Sequence, residues 1–107
     1  MPSNSDALLQ GILSMTGRLA IPPPVLLQIV APPKGGGGEA QLTAYNMCDG
    51  TKGQSEIAKV LGIDPGSFSR TVARWIEAGV VIRLGEHPNI KLLHIYPLTK
   101  EHARDGR

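Results

Sequence analysis

The stretch Gly53–Val81 constrains the fold of this chain most strongly, because it specifies two short helices separated by a tight turn. Apolar residues recur at helical spacing over Gln54–Leu61 and form one stripe there. Gly62 follows directly, where the C-terminus of a helix favours a residue that tolerates a left-handed backbone. Asp64 is then a suitable N-cap for a second helix over 65–78, which begins with a proline.

The predicted second helix has one apolar and one polar face. Its buried side is expected to consist of Phe68, Val72, Trp75 and Ile76. Its outer side consists mostly of small, polar or charged residues, namely Gly66, Ser67, Arg70, Ala73, Arg74 and Glu77. Such an arrangement is typical of a helix-turn-helix motif, whose outer face fits the DNA major groove. Arg70 and Arg74 can reach guanine edges or phosphates there, although such a pair is often only a solvated surface.

Short sequence matches in this stretch resemble the helix-turn-helix of bacterial and archaeal transcription regulators. They are Ile57–Ala58, Leu61–Ile63 and Phe68–Arg70. The continuation looks like the wing of a winged-helix domain, since Gly79 ends the helix and two strand-like segments flank the turn 85–89. From residue 41 to residue 98, the order of parts is similar to the MarR-type winged-helix fold.

This resemblance implies a mainly α fold with a small β-hairpin, that is, a winged helix-turn-helix with an added N-terminal helical arm. The first helix of the domain, predicted over 39–47, would pack across the back of the helix-turn-helix. The implied function is sequence-specific binding of double-stranded DNA by a transcriptional regulator. The helix 65–78 would then lie in the major groove, with the 85–89 wing near the backbone or the minor groove.

Ten residues are expected to contact DNA in this arrangement. The candidates for base edges are Ser67, Ser69 and Arg70. The candidates for phosphates, near the N-terminus of the first helix or on the outer face of the second, are Lys52, Gln54, Ser55 and Arg74. The candidates on the wing are Arg83, His87 and Lys91.

The charge distribution agrees with a nucleic-acid surface in the C-terminal half. The formal net charge of the chain is only +2. Residues 1–50 hold two basic and three acidic residues, a net of −1, whereas residues 51–107 hold nine basic and six acidic residues, a net of +3. Positive charge therefore collects in the half that contains the predicted helix-turn-helix.

An amphipathic helix is predicted from about Asp6 to Ala20, capped by Ser5 or Asn4. Its apolar face is interpreted as a dimerisation or partner interface formed by Leu8, Leu9, Ile12 and Leu13, and the alternative is that it folds back on its own core. The resemblance does not extend to the C-terminal helices that MarR-type proteins usually use for dimerisation. A homodimer would therefore use residues 1–31. No small-molecule ligand pocket is predicted.

Three prolines from Pro22 to Pro24 interrupt the first helix. The apolar run Val25–Ala31 is either a short helix or a buried extended segment, because periodicity cannot distinguish them. Four glycines at 35–38 predict a linker, and they lack the GK[ST] ending that a phosphate-binding loop requires. The predicted division is an arm at 1–34, a linker at 35–38, a domain at 39–98 and a polar tail at 99–107.

The sequence offers little for catalysis or cofactor binding. Cys48, the only cysteine, is interpreted as a small buried hydrophobe, with redox sensing as the alternative. The three histidines are scattered and predict no metal site, and no carboxylate pair or activated serine predicts an enzyme. No apolar run approaches the roughly 20 residues that span a bilayer, so the expectation is a cytoplasmic protein without membrane contact or cofactor.

A different class of function stays open. Winged helices also serve as protein-interaction modules or accessory subunits of larger assemblies, and the apolar N-terminal helix favours that possibility. A third alternative is an accessory factor that binds both DNA and a partner. A DNA-binding protein should lose affinity steeply with salt and depend on Arg70 and Arg74, whereas an interaction module should depend on the apolar face of the first helix.

Overall fold

Five α-helices and one two-stranded antiparallel sheet make up the part of the chain that this computed structural model describes, residues 3–32 and 38–98. This confirms the predicted fold class, mainly α with a small β-hairpin. The elements are α1 Asn4–Ala20, α2 Pro23–Val30, α3 Gly38–Asn46, α4 Gln54–Leu61, α5 Pro65–Glu77, β1 Val81–Leu84 and β2 Lys91–His94.

The two helices of the central stretch form as the sequence predicts. Gly62 ends α4 in the left-handed conformation with φ of 66°. The carboxylate of Asp64 accepts a hydrogen bond of 2.9 Å from the Ser67 N–H and caps α5. N–H groups in the first turn of a helix have no partner within the helix. The Asp64 side chain supplies such a partner, and α5 begins at Pro65.

The N-terminal half departs from the sequence prediction at several helix ends. α1 begins earlier than expected, because Ser3 and not Ser5 or Asn4 is its N-cap, in a capping box with Asp6. The apolar run that follows the prolines forms a short helix, α2, and not an extended segment. Hydrophobic periodicity alone could not distinguish these two alternatives. Gly38 is the first residue of α3, so the glycine run does not exclude regular structure there. The rest of the predicted linker and the predicted tail at 99–107 lie outside the described residues.

The helix α2 packs into the same core as the helices that follow it. Leu26 and Val30 of α2 are fully buried in the same hydrophobic cluster as the residues of α3, α4 and α5. α1 also folds back onto the chain, where the Ser14 hydroxyl donates a hydrogen bond to the Ile95 carbonyl. A Cβ atom at Gly17 would lie 3.1 Å from Cβ of Ile95, so only glycine allows this close approach without a shift.

Within residues 3–32 and 38–98, no single helix has the length and apolar character that a bilayer span needs. α1 and α2 meet those criteria only when taken together, and the two helices are bent by 93° relative to each other.

The centre of the core is a cluster of aromatic rings. Trp75 of α5 makes edge-to-face contacts with Tyr45 of α3 and with Phe68, at centroid distances of 5.6 Å and 6.0 Å. The Tyr45 hydroxyl donates a 2.7 Å hydrogen bond to the Tyr96 carbonyl, and burial raises the pKa of that phenol. The sequence-based assignment of Trp75 to the core is confirmed, and α5 is held from behind by this cluster.

The strand β2 has backbone hydrogen-bonding partners along both of its edges. On one edge it pairs with β1, with Val81 opposite His94 and Leu84 opposite Lys91. On the other edge, the segment Cys48–Lys52 forms three backbone hydrogen bonds to residues 92 and 94, with an isolated bridge between residues 49 and 93. This segment is therefore a third, short partner of the hairpin.

We expect Leu26→Ala to lower the free energy of unfolding by about 2–5 kcal/mol, because it removes a fully buried side chain from the core. The control is Val25→Ala in the same helix, where the side chain is half exposed and the change should stay within about 0.5 kcal/mol. Urea unfolding followed by circular dichroism measures both. Equal effects of the two substitutions would contradict the placement of α2 in the core.

His94 makes the stability of the fold sensitive to acid. Its ring packs on Tyr45 at a centroid distance of 5.4 Å, and Nδ1 has no hydrogen-bond partner among the described residues. Burial lowers the pKa of His94 below 6.5. The unfolded chain therefore binds this proton at a higher pH than the folded chain does, and stability falls as pH decreases through 6.5 toward the folded pKa.

We expect the free energy of unfolding to decrease from pH 7 to pH 5, and His94→Phe to flatten this dependence, because phenylalanine keeps the ring but does not titrate. Urea titrations of both proteins at each pH measure the two slopes. Parallel slopes would show that other groups cause the acid sensitivity.

Candidate nucleic-acid interface

The outward face of α5 is the centre of the candidate site. Phe68, Val72 and Trp75 fix this helix from behind, since each is almost completely buried. The residues on the opposite side are all exposed, namely Gly66, Ser67, Ser69, Arg70, Ala73, Arg74 and Glu77. A helix attached by one face and open on the other presents its outer side chains in a fixed orientation.

Ser67, Arg70 and Arg74 form one row along this face, because they are spaced by three and four residues. The Arg70 guanidinium donates a weak hydrogen bond of 3.4 Å to the Ser67 hydroxyl. Ser69 lies on the opposite flank of α5, since residues two apart on a helix are rotated by about 200°. The three residues predicted to read base edges are therefore not one cluster.

The first turn of α5 combines a carboxylate with a nearby arginine. Hydrogen bonds from the Ser67 N–H and hydroxyl lower the pKa of Asp64, and the positive charge of Arg70 lowers it further. Among the described residues, neither Arg70 nor Arg74 forms an ion pair with a carboxylate. Both guanidinium groups thus keep donors that a phosphate or a base edge can accept.

A second group of predicted residues lies together in a cleft between the first turn of α4 and the hairpin. This cleft has a volume of about 590 Å³, and we call it the wing cleft. Five of the ten predicted contact residues line it: Gln54, Ser55, Arg83, His87 and Lys91. The sequence placed them on two separate elements, and β2 brings those elements together.

Close backbone packing shapes the wing cleft. A Cβ atom at Gly53 would lie 3.0 Å from the Ile90 carbonyl oxygen, so glycine lets the start of α4 approach the hairpin. Gly53 is also the N-cap of α4 and provides no side-chain hydrogen bond. The first-turn N–H groups of α4, which have no partner within the helix, therefore have no side-chain cap either. Glu56 is the one carboxylate among the lining residues of this cleft, which also include the cations Arg83 and Lys91.

Lys52 is not part of the wing cleft. Its ammonium group lies 3.3 Å from the carboxylate of Asp49, the one ion pair within residues 3–32 and 38–98. Burial acts to raise the pKa of Asp49, but hydrogen bonds from Thr51 and the charge of Lys52 lower it overall. Of the ten predicted contact residues, Lys52 alone forms an ion pair within the described structure.

The positive charge of the C-terminal half persists in the part that the structure describes. Residues 51–98 contain six basic and four acidic residues, a net of +2. The described residues before Thr51 contain one basic and three acidic residues, a net of −2. The part of the described chain that contains the candidate site is therefore more positive than the part that precedes it.

The residues predicted to form a partner interface lie elsewhere, on α1. Leu8, Leu9 and Ile12 are exposed as expected, whereas Leu13 is half buried against the core. Sequence reasoning left Met15 and Leu19 out of this set, although both are more exposed than Ile12. Their spacing from Ile12 by three and seven residues was the signal that could have included them.

Cys48 is fully buried, which confirms its interpretation as a small core hydrophobe. Burial raises the pKa of its thiol to about 12, so the reactive thiolate is scarce at neutral pH. Within residues 3–32 and 38–98, no three histidine, cysteine or acidic side chains lie close enough to hold a metal ion.

No protein-family model, curated protein or solved structure matches this chain, so the geometry of its own residues carries the functional argument.

We expect Cys48 in the folded protein at pH 8 to react with a thiol reagent roughly a thousand-fold more slowly than in urea, since the pKa rises from 9.0 to about 12. Absorbance of the thiol reagent 5,5′-dithiobis(2-nitrobenzoate) measures both rates. A fast reaction of the folded protein would show an accessible thiol and revive the redox-sensing alternative.

Proposed function

We propose that this chain is a winged helix-turn-helix protein that binds double-stranded DNA and acts as a transcriptional regulator. The observation that carries the proposal is the division of α5, whose inner face fills the core while its outer face exposes Gly66, Ser67, Arg70 and Arg74. With side chains, an α-helix is about 10–12 Å wide, which matches the roughly 12 Å width of the major groove.

The small residues at the start of α5 support close approach to the groove, and the two arginines support recognition. Arg70 and Ser67 are the best candidates for base edges, because they share a row near the N-terminus of the helix. Arg74, one turn further along, is a candidate for phosphate. Ser69, on the other flank, is a candidate for the opposite wall of the groove.

The wing cleft supports the same mode of binding. Arg83 and Lys91 on the hairpin and the uncapped first turn of α4 all offer donors to phosphate oxygens. In this proposal the DNA backbone follows the wing cleft while α5 enters the adjacent groove. Lys52, which is paired with Asp49, contributes less than the sequence alone suggested.

The alternative function, a protein-interaction module, is favoured by a separate observation. α1 exposes Leu8, Leu9, Ile12, Met15 and Leu19. This face does not exclude DNA binding, because it shares no residue with α5 or with the wing cleft. A protein that uses both surfaces would correspond to an accessory factor with a DNA site and a partner site.

We expect the protein to bind random-sequence duplex DNA with a logarithmic salt slope of about −3, as for three neutralised phosphates at Arg74, Arg83 and Lys91. Arg74→Ala should make that slope less steep, by about 1, because one phosphate contact is lost. Fluorescence anisotropy of labelled duplex over a range of salt concentrations measures the slopes, and thermal melts verify that each variant is folded.

The matched control is Lys59→Ala, which removes one exposed cation from α4 outside the wing cleft and α5. Its slope should equal that of the wild type. Absence of binding at low salt, or an equal loss of slope in Lys59→Ala and Arg74→Ala, would reject the proposed site.

Arg70 provides a test of base recognition. On the preferred site found by selection, Arg70→Lys should weaken binding by about 1–3 kcal/mol, because lysine keeps the charge but loses the planar fork that contacts guanine. Unchanged preference in this variant would assign Arg70 to phosphate contact or to solvent.

A further inference from the structure

Exposed hydrophobic side chains are concentrated on two elements of the described structure, α1 and β1. Nine large hydrophobic residues are exposed in the described part of the chain, and seven of them lie on α1 and β1. We call these seven the α1–β1 apolar surface. They are Leu8, Leu9, Ile12, Met15, Leu19, Ile82 and Leu84.

The α1 part of this surface has the spacing of a helix-pairing seam. Leu8, Ile12, Met15 and Leu19 follow one another at intervals of four, three and four residues, the pattern of alternating core positions in a coiled coil. They are between 60% and 85% exposed. α1 contacts its own domain through other residues, namely Leu13, Ser14 and Gly17. The seam therefore faces away from the core.

Beside the seam, an apolar cleft with a volume of about 630 Å³ lies between α1 and the hairpin. The apolar side chains that line it are Leu9, Leu13, Ile82, Leu84 and Leu93. Asp6 and Asp49 are the only charged residues among its lining. Among the exposed apolar residues of α1, Leu9 alone lines this cleft, so the cleft flanks the seam.

We propose that this face pairs two copies of the chain, with their α1 helices antiparallel and crossing near the middle of the seam. Leu8 of one copy would then lie opposite Leu19 of the other, and Ile12 opposite Met15. The proposal extends beyond DNA binding and does not depend on it, because the α1–β1 apolar surface contains no residue of α5 or of the wing cleft.

The exposed apolar area of α1 is sufficient for a dimer. At about 100 Å² of apolar area for each fully exposed side chain, its five exposed hydrophobic residues present roughly 350 Å². With the polar share typical of interfaces, this corresponds to roughly 540 Å² per copy, or roughly 1,100 Å² in total. Biological interfaces generally exceed about 1,000 Å² in total.

Charge favours the antiparallel arrangement. Asp6 lies in the first turn of α1 and Arg18 in its last turn. Antiparallel pairing brings the acidic end of one helix beside the basic end of the other, and it also opposes the two helix dipoles. A parallel pair would place like charges together at both ends.

A lipid surface fits this face less well than a second copy does. Helices that lie on membranes typically carry several lysines or arginines on their polar side. α1 has a single basic residue, Arg18, whose guanidinium lies 4.7 Å from the centroid of the Tyr96 ring. The polar side of α1 therefore lacks the charge that would attract anionic headgroups.

Sedimentation velocity across the micromolar range tests the pairing. The wild type should form a dimer, and Ile12→Glu should raise the dissociation constant at least roughly 100-fold, because it buries a charge in the seam. Leu19→Glu, at the other end of the seam, should act in the same way. The matched control is Val60→Glu, which changes a similarly exposed β-branched residue on α4 and should dimerise like the wild type.

Circular dichroism verifies that the variants keep their helices. A monomeric wild type at high micromolar concentration, or a dimer that survives both glutamate substitutions, would overturn the proposal. If the monomeric wild type instead floats with vesicles of anionic phospholipid and Ile12→Glu does not, the face belongs to a lipid surface and the pairing is likewise overturned.

Cysteine cross-linking tests the orientation. Under a mild oxidant, an equimolar mixture of Leu8→Cys and Leu19→Cys proteins should form a disulfide-linked dimer, while each protein alone should not. The native Cys48 is buried and does not compete. Efficient cross-linking of Leu8→Cys with itself would overturn the antiparallel arrangement.

Discussion

Backbone hydrogen bonding along both edges of β2 is the interaction on which the rest of this structure depends. β1 occupies one edge, and Cys48–Lys52 occupies the other through three hydrogen bonds. The second edge connects the end of α3 to the start of α4, so that the position of the hairpin and the position of α4 are fixed together. A short strand with both edges paired tolerates little displacement, since each lost hydrogen bond would leave a backbone N–H or C=O group without its partner.

The alternation of side chains along β1 separates the two clefts. Arg83 lines the wing cleft, whereas Ile82 and Leu84 line the apolar cleft beside α1. Because successive residues of a strand point to opposite faces, a polar, cation-bearing surface and an apolar surface can arise from one hairpin. This division means that the proposed DNA site and the proposed pairing face do not compete for residues.

The sequence predicted a large part of the candidate site but not its internal arrangement. Arg70 and Arg74 were placed on an open helix face because helical period and burial are linked locally. The gathering of Gln54, Arg83 and Lys91 into one cleft follows from strand pairing between distant segments, which no local pattern encodes. The pairing of Lys52 with Asp49 depends on the path of the chain between α3 and α4, which pairs with β2.

The sequence by itself determined the helices α4 and α5, their caps and their buried stripes, because these depend on interactions within a few residues. Only the tertiary structure decided that the run after the prolines is a core helix, since an almost uniformly apolar segment has no readable period. It also decided that α1 packs through Gly17 and leaves its larger apolar side chains exposed. Gly17 weakens the helix α1 locally. Its presence is explained by the close contact of this position with Ile95 and Tyr96, which the sequence does not reveal.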